Sequence, residues 1–155
     1  KSIHDILKGK VSTHVFPVGR LDRDTTGLLL ITNDGDLTKR LSHPSYEVKK
    51  IYHATLNKPM SDEDLNKIRS GLQLEDGFIK VDGISFVKNA PPTELGITLH
   101  SGRNRIIRRI FEYVGYDVVK LDRVYYAGLT KKDLPRGRMR DLTREEVIRL
   151  KHFKV

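Results

Sequence analysis

Two acids in a glycine-bracketed loop are the residues of this chain best placed for chemistry. The segment Gly19-Arg20-Leu21-Asp22-Arg23-Asp24-Thr25-Thr26-Gly27 is polar and dense in charge, and it runs into four large aliphatics, Leu28 to Ile31, closed by Asp34-Gly35. An apolar run of that length between turn signals predicts a strand buried on both faces. An acid at the edge of such a strand is fixed in position yet accessible. Two other readings compete. Asp22 and Asp24 could bond the backbone N–H groups of a turn, the commonest role of Asp in loops. Asp22, Asp24, Thr26 and Gly27 also fall at positions 1, 3, 5 and 6 of an EF-hand loop. Calcium fails at position 12, where Asn33 stands in place of a bidentate Glu.

A second constellation is cationic. Four arginines, Arg103, Arg105, Arg108 and Arg109, lie within Gly102 to Phe111. On an ideal helix Ile106, Ile107, Ile110, Phe111 and Val114 share one arc of roughly 140°. Arg105 then points away from that arc, and Arg108 sits at its border. Most such runs are solvated basic faces. Here no acid at helical spacing precedes the arginines to pair with them, and clustered guanidinium groups suit phosphate. A third feature is Lys50-Ile51-Tyr52 in a strand-like stretch, where a lone Tyr is ordinarily a half-buried packing residue.

Together these segments resemble three motifs of the RNA pseudouridine synthases, specifically the ribosomal RNA branch typified by RsuA and RluB. Val15 to Leu37 is similar to the first motif, whose G-R-L-D acid is the catalytic nucleophile; the resemblance places that role on Asp22. Lys50-Ile51-Tyr52 resembles the second, and implies that Tyr52 stacks on a flipped target base. Gly102 to Phe111 resembles the third, with Ile106 where Gln is usual. It implies that Arg108 pairs with Asp22, orienting it and stabilising its charged form. By the same resemblance Arg20 occupies space vacated in the RNA, and Lys49, Lys50, Arg103, Arg105 and Arg109 are expected RNA contacts. The implied activity is isomerisation of a uridine in ribosomal RNA, the large-subunit 23S type before the small-subunit 16S type, with no cofactor and no metal. A non-catalytic ribosomal RNA-binding module and a metal-dependent nuclease are the rival classes. Retention of Asp22 and Arg108 disfavours the first, and the lack of a second acid at ligand spacing beyond Asp24 disfavours the other.

The elements that must position these residues are legible in part. Ser2 to Lys8 and Asp36 to Leu41 read as short helices, the second stopped before Pro44. Lys49 to Asn57 alternates as a strand with Tyr52, Ala54 and Leu56 on one face. Ser61 to Asp64 and Thr143 to Glu146 have capping-box spacing, predicting helices that end at Gly71 and near His152. Phe78 to Val81, Gly83 to Val87, Leu95 to Leu99 and Val118 to Val124 read as further strands. Without a βαβ rhythm, the fold class is α+β with a mostly antiparallel mixed sheet. The resemblance adds two α+β halves with flanking helices and a central cleft.

At 155 residues the chain is one domain's worth, residues 1–155. Its 29 Lys and Arg against 20 Asp and Glu give a formal charge of +9, which favours a polyanionic partner. There is no cysteine for disulfides or thiolate sites, no run long enough for a membrane span and no recognisable signal peptide. A cytoplasmic monomer without membrane association is the expectation. The family pattern also leads to the expectation that an S4-like RNA-binding domain and a first strand precede this region, so that the chain is an N-terminally incomplete catalytic domain.

Overall fold

Capped helices and short strands alternate along the chain. β1 (Phe16–Pro17), β2 (Thr26–Gly27) and β3 (Ile31–Thr32) precede α1 (Gly35–Ser42), and β4 (Lys50–Leu56) leads to α2 (Asp62–Ser70). The hairpin of β5 (Leu72–Leu74) and β6 (Gly77–Ile79) follows, then β7 (Gly83–Phe86), β8 (Glu94–Leu99), α3 (Ile106–Tyr113), β9 (Val118–Tyr126), β10 (Leu129–Thr130) and α4 (Arg144–Lys151). The computed structural model describes residues 14–43, 47–103 and 105–152; the helix expected over Ser2 to Lys8 lies outside them, as do Pro44 and Asn104.

Side-chain caps set the starts of α1, α2 and α4. Asp34 accepts from the Leu37 N–H at 3.0 Å and Ser61 from the Asp64 N–H at 3.1 Å. Thr143 and Glu146 form a reciprocal capping box, with bonds of 3.2 and 2.8 Å. Gly71, at φ 102°, ends α2 as its position in the sequence predicts.

The main sheet runs β10-β9-β4-β8-β7, antiparallel throughout, and β2 adds to β9 in parallel. This is the α+β arrangement read from the sequence. Two apolar cores flank it. One gathers Ala54, Leu56, Leu65, Ile68, Leu95, Ile97, Ile110 and Phe111; the other gathers Val18, Leu30, Leu37, Leu41, Val48, Tyr126, Leu129 and Leu150. Ile107, Ile110 and Phe111 anchor α3 in the first core, each fully buried side chain stabilising it by about 1.5–3 kcal/mol.

A bulge interrupts the pairing of the two central strands. Ile51 opposes Tyr125 but Tyr52 opposes Arg123, so Val124 is an extra residue on β9. Side-chain alternation breaks there, and Arg123 and Tyr126, three residues apart, come to the same face.

Three expectations need correction. Leu28 to Ile31 is not a doubly buried strand: pairing of β2 with β9 stops after Gly27, only Ile31 of the four lies in a strand, β3, and only Leu30 is buried. Gly27, at φ 118°, lies so close to the Arg123 backbone that a Cβ would overlap it, and the Leu28 carbonyl turns to accept from the Arg123 side chain at 2.9 Å. β5 is a strand the sequence reading left out. Its Leu72-Gln73-Leu74 alternation and the two-residue Glu75-Asp76 turn pair it with β6. Finally, α3 begins at Ile106, so Arg105 is not on the helix wheel; it caps the helix in a left-handed conformation at φ 49°.

Candidate active site

The loop from Val18 to Gly27 is pinned at both ends. The buried Val18 donates its N–H to Leu30 O at 2.7 Å, and Gly19, at φ 65°, turns the chain outward. At the far end Thr26 bonds the Asp122 carboxylate at 2.9 Å where β2 meets β9. Between them Thr25 N–H donates to Asp22 O at 2.9 Å, closing a turn with Arg23 and Asp24 at its corners.

Asp24 fastens that turn to α3. Arg105 grips its carboxylate with two bonds of 3.1 Å, and Arg108 Nε lies 3.3 Å from Oδ2. Arg108 also donates to the carbonyls of Asp24 at 2.9 Å and Val118 at 3.0 Å. The Arg105 hydrogen bond is the main cause holding the Asp24 carboxyl below its ordinary range; burial opposes it and the Arg108 charge reinforces it. Reciprocally the bond to Asp24 holds Arg105 up, with the charge of Asp22 a smaller contribution.

The expected pairing of Arg108 with Asp22 is therefore replaced by one with Asp24. Among the described residues no cation lies within 4.0 Å of the Asp22 carboxylate. The turn explains the change: it puts Asp24, two residues on, directly over the start of α3, and leaves Asp22 facing a cleft.

That cleft, of about 420 Å³, lies between the two cores and takes walls from both. Asp22, Tyr52, Arg108, Arg20, Lys50, Arg103 and Arg105 all line it. Three segments far apart in sequence thus converge on one void. Lys49 and Arg109 do not line it. Lys49 sits 5.6 Å over the Tyr125 ring, and Arg109 bonds Asp76 at 2.9 Å. Arg103, although at the cleft, also spends its guanidinium on the hairpin turn, bonding Asp76 at 3.3 Å and Phe78 O at 3.1 Å. Burial lowers the pKa of the Lys50 ammonium, and the nearby Arg123 charge adds to that; Lys50 Nζ has Ser101 O at 3.4 Å.

The sequence reading missed Asp24 as a clamp, and it missed Arg123 and Tyr126, which complete one wall. Burial raises the Tyr126 phenol, with the Arg123 charge opposing. The Leu121-x-Arg123 alternation was a signal available in the sequence, but the bulge that brings Tyr126 alongside was not. Among the described residues no three His, Asp or Glu side chains are grouped to hold a metal ion, and no helix is long and apolar enough to cross a membrane.

The geometry thus sets an acid at a basic, aromatic-walled cleft between the two cores. The profile described as RNA pseudouridylate synthase matches residues 2–113, and the chain belongs to that family. It is 41% identical to ribosomal large subunit pseudouridine synthase B of Bacillus subtilis (strain 168), over 97% of this chain and 63% of that protein. It is 38% identical to the dual-specificity RNA pseudouridine synthase RluF of Salmonella typhi, over 90% of this chain and 47% of that one. A crystal structure of a pseudouridylate synthase superposes with a TM-score of 0.77 at 28% identity, covering 88% of this chain and 59% of that one. The chain thus spans less than two thirds of these relatives.

Proposed function

We propose that this chain carries the catalytic site of an enzyme that converts a uridine of ribosomal RNA to pseudouridine, with Asp22 as the nucleophile. The observation that carries the reading is the convergence of Asp22, Tyr52 and a set of cations on one cleft, in a chain of this family. The reaction breaks the N1–C1′ bond, turns the freed uracil and rejoins it through C5, while the C5 proton leaves and N1 regains one. It is an isomerisation and consumes no second substrate. A base must leave its stack to enter a cleft of this size, and the Tyr52 ring offers it a face. Arg20, exposed at the cleft with no ion pair among the described residues, is placed to enter the RNA, and Lys50 at the cleft wall and the exposed Lys49 outside it are the cations assigned to phosphates. Arg108 acts through the Asp24 clamp, holding the loop that presents Asp22.

The large-subunit RNA is the favoured substrate, because the motifs resemble that branch and the Bacillus subtilis relative bears a large-subunit name. The test is to map pseudouridines in ribosomal RNA from cells with the protein, without it, and with Asp22→Asn. One large-subunit pseudouridine should vanish in the second and third. Asp22→Asn should retain RNA affinity, since an isosteric amide removes nucleophilicity with little steric change. A variant that keeps more than a few per cent of single-turnover activity would remove Asp22 from the role.

A further inference from the structure

Arg123 is a buried cation with most of its hydrogen-bonding capacity unspent. It is 4% exposed, and Nε donates to Leu28 O at 2.9 Å. Nη2 is shielded from solvent and has no partner. The guanidinium lies over the Tyr126 ring, 4.6 Å from its centroid. Among the described residues no carboxylate lies within 4.0 Å of it. A buried, unpaired cation is costly unless something completes it. Arg123 lines the cleft beside Lys50, so two cations border the same void and reinforce its appetite for negative charge.

We propose that Arg123 is a catalytic residue whose guanidinium hydrogen-bonds a carbonyl oxygen of the target uracil and stabilises the negative charge that gathers there as the N1–C1′ bond breaks. This rests on the functional reading above. When N1 departs with the bonding electron pair, the charge spreads over N1 and the two carbonyl oxygens. Asp22 holds C1′ meanwhile as an ester; when C5 returns an electron pair to C1′, the C1′–O bond to Asp22 breaks and the carboxylate recovers the charge, after which the C5 proton is lost and N1 is protonated. A fixed donor aimed at such an oxygen stabilises the separated uracil more than the bound uridine, which is what accelerates a step. Uracil fits better than phosphate here: Arg123 is the cross-strand partner of Tyr52, lies against Tyr126, and is set in the wall, whereas Arg20 and Lys49 are exposed where a backbone would run.

The test compares the wild-type protein with Arg123→Met and Arg123→Lys, using ribosomal RNA whose uridines carry tritium at C5. Tritium leaves C5 as a proton once the C5–C1′ bond has been made, so single-turnover release at saturating protein follows N1–C1′ cleavage and reads the chemical steps, and titration reads affinity. Arg123→Met is expected to slow release about 100-fold or more while changing RNA affinity less than about threefold. Arg123→Lys, which keeps charge but not the fork, should recover part of the rate. A melting curve for each variant checks folding, and if Arg123→Met does not fold, the Lys variant decides, with an expected loss of about tenfold in rate alone. Loss of affinity with an unchanged saturated rate would overturn the proposal in favour of a phosphate contact. Full activity in both variants would overturn it outright. A wild-type protein that releases no tritium would remove the functional reading, and this proposal with it.

Discussion

Removing the Asp24 carboxylate should loosen the active-site loop as a unit. In Asp24→Ala, Arg108 keeps its bonds to the carbonyls of Val118 and Asp24 but loses its counter-charge, and its side chain is only 10% exposed. Stranding a buried charge costs about 3–5 kcal/mol. Asp24 is itself 49% exposed, so water already screens the pair and a loss of about 2–3 kcal/mol is the better expectation. The Arg105 pair, half-exposed on both sides, adds little. For a domain of this size that corresponds to a fall in Tm of roughly 5–10 °C. Circular dichroism on heating measures it, and limited trypsin digestion reads the loop directly, because Arg20 and Arg23 are exposed cleavage sites within it. Cleavage there should accelerate before global unfolding. The effect also has a pH signature. Asp24's pKa is depressed in the folded state, so its contribution is full above its ordinary value of 3.8 and is lost as pH falls through the lower folded value. Wild type and variant should therefore converge in stability under strongly acid conditions. A Tm within 1 °C of wild type, with unchanged tryptic cleavage, would refute the clamp.

Other consequences follow from the same geometry. Arg108→Ala should cost far more activity and stability than Arg105→Ala, measured by single-turnover rate and melting, because Arg108 is buried, bonded to two carbonyls and paired with the Asp24 carboxylate, while Arg105 holds only the exposed side of Asp24. RNA affinity should fall with salt at a log-log slope of about −2, since Arg103, Arg105 and Arg109 are occupied by Asp76 and Asp24, which leaves three of the six expected contacts, Arg20, Lys49 and Lys50, without an acidic partner among the described residues; a slope near −3.5 would mean that RNA displaces those acids. The Glu146 carboxyl is pulled down to about 2, chiefly by Arg140 and then by the Thr143 N–H. It should thus stabilise the α4 cap fully above about pH 4.5 and lose that contribution as pH falls toward 2, and Glu146→Gln should flatten this part of the acid-unfolding curve.

How much of this was legible in the sequence depended on whether a local signal decided the outcome. Ser61, Gly71, Thr143 and Glu146 cap and end helices through contacts within four residues, so their roles could be read directly. The alternation of Ala54 and Leu56 into the core could be read too. The convergence of Asp22, Tyr52 and Arg108 was reached through motif resemblance, because nothing local brings residues 22 and 108 to one cleft. What failed were geometries set at long range. Leu28 to Leu30 has the composition of a strand, yet the side chain of Arg123 claims the Leu28 carbonyl and the ladder ends. Arg105 has the spacing of a helix residue, yet Asp24 holds it at the cap.

The bulge at Val124 shows why one wall of the cleft escaped a reading by periodicity. In a regular β9, Arg123 and Tyr126 would point to opposite faces, and one of the two would be lost to the cleft. One inserted residue turns both inward, opposite Tyr52 and Lys50 respectively. The four side chains then form a patch of two aromatics and two cations with no acid of its own. Asp22 lines the same void without a salt bridge among the described residues, while Asp24 engages Arg105 and Arg108. The same void thus carries a carboxylate and two cations that have no salt-bridge partner among the described residues. That combination is what the proposed reaction asks for: a carboxylate to take up the sugar carbon and cations to receive the departing base.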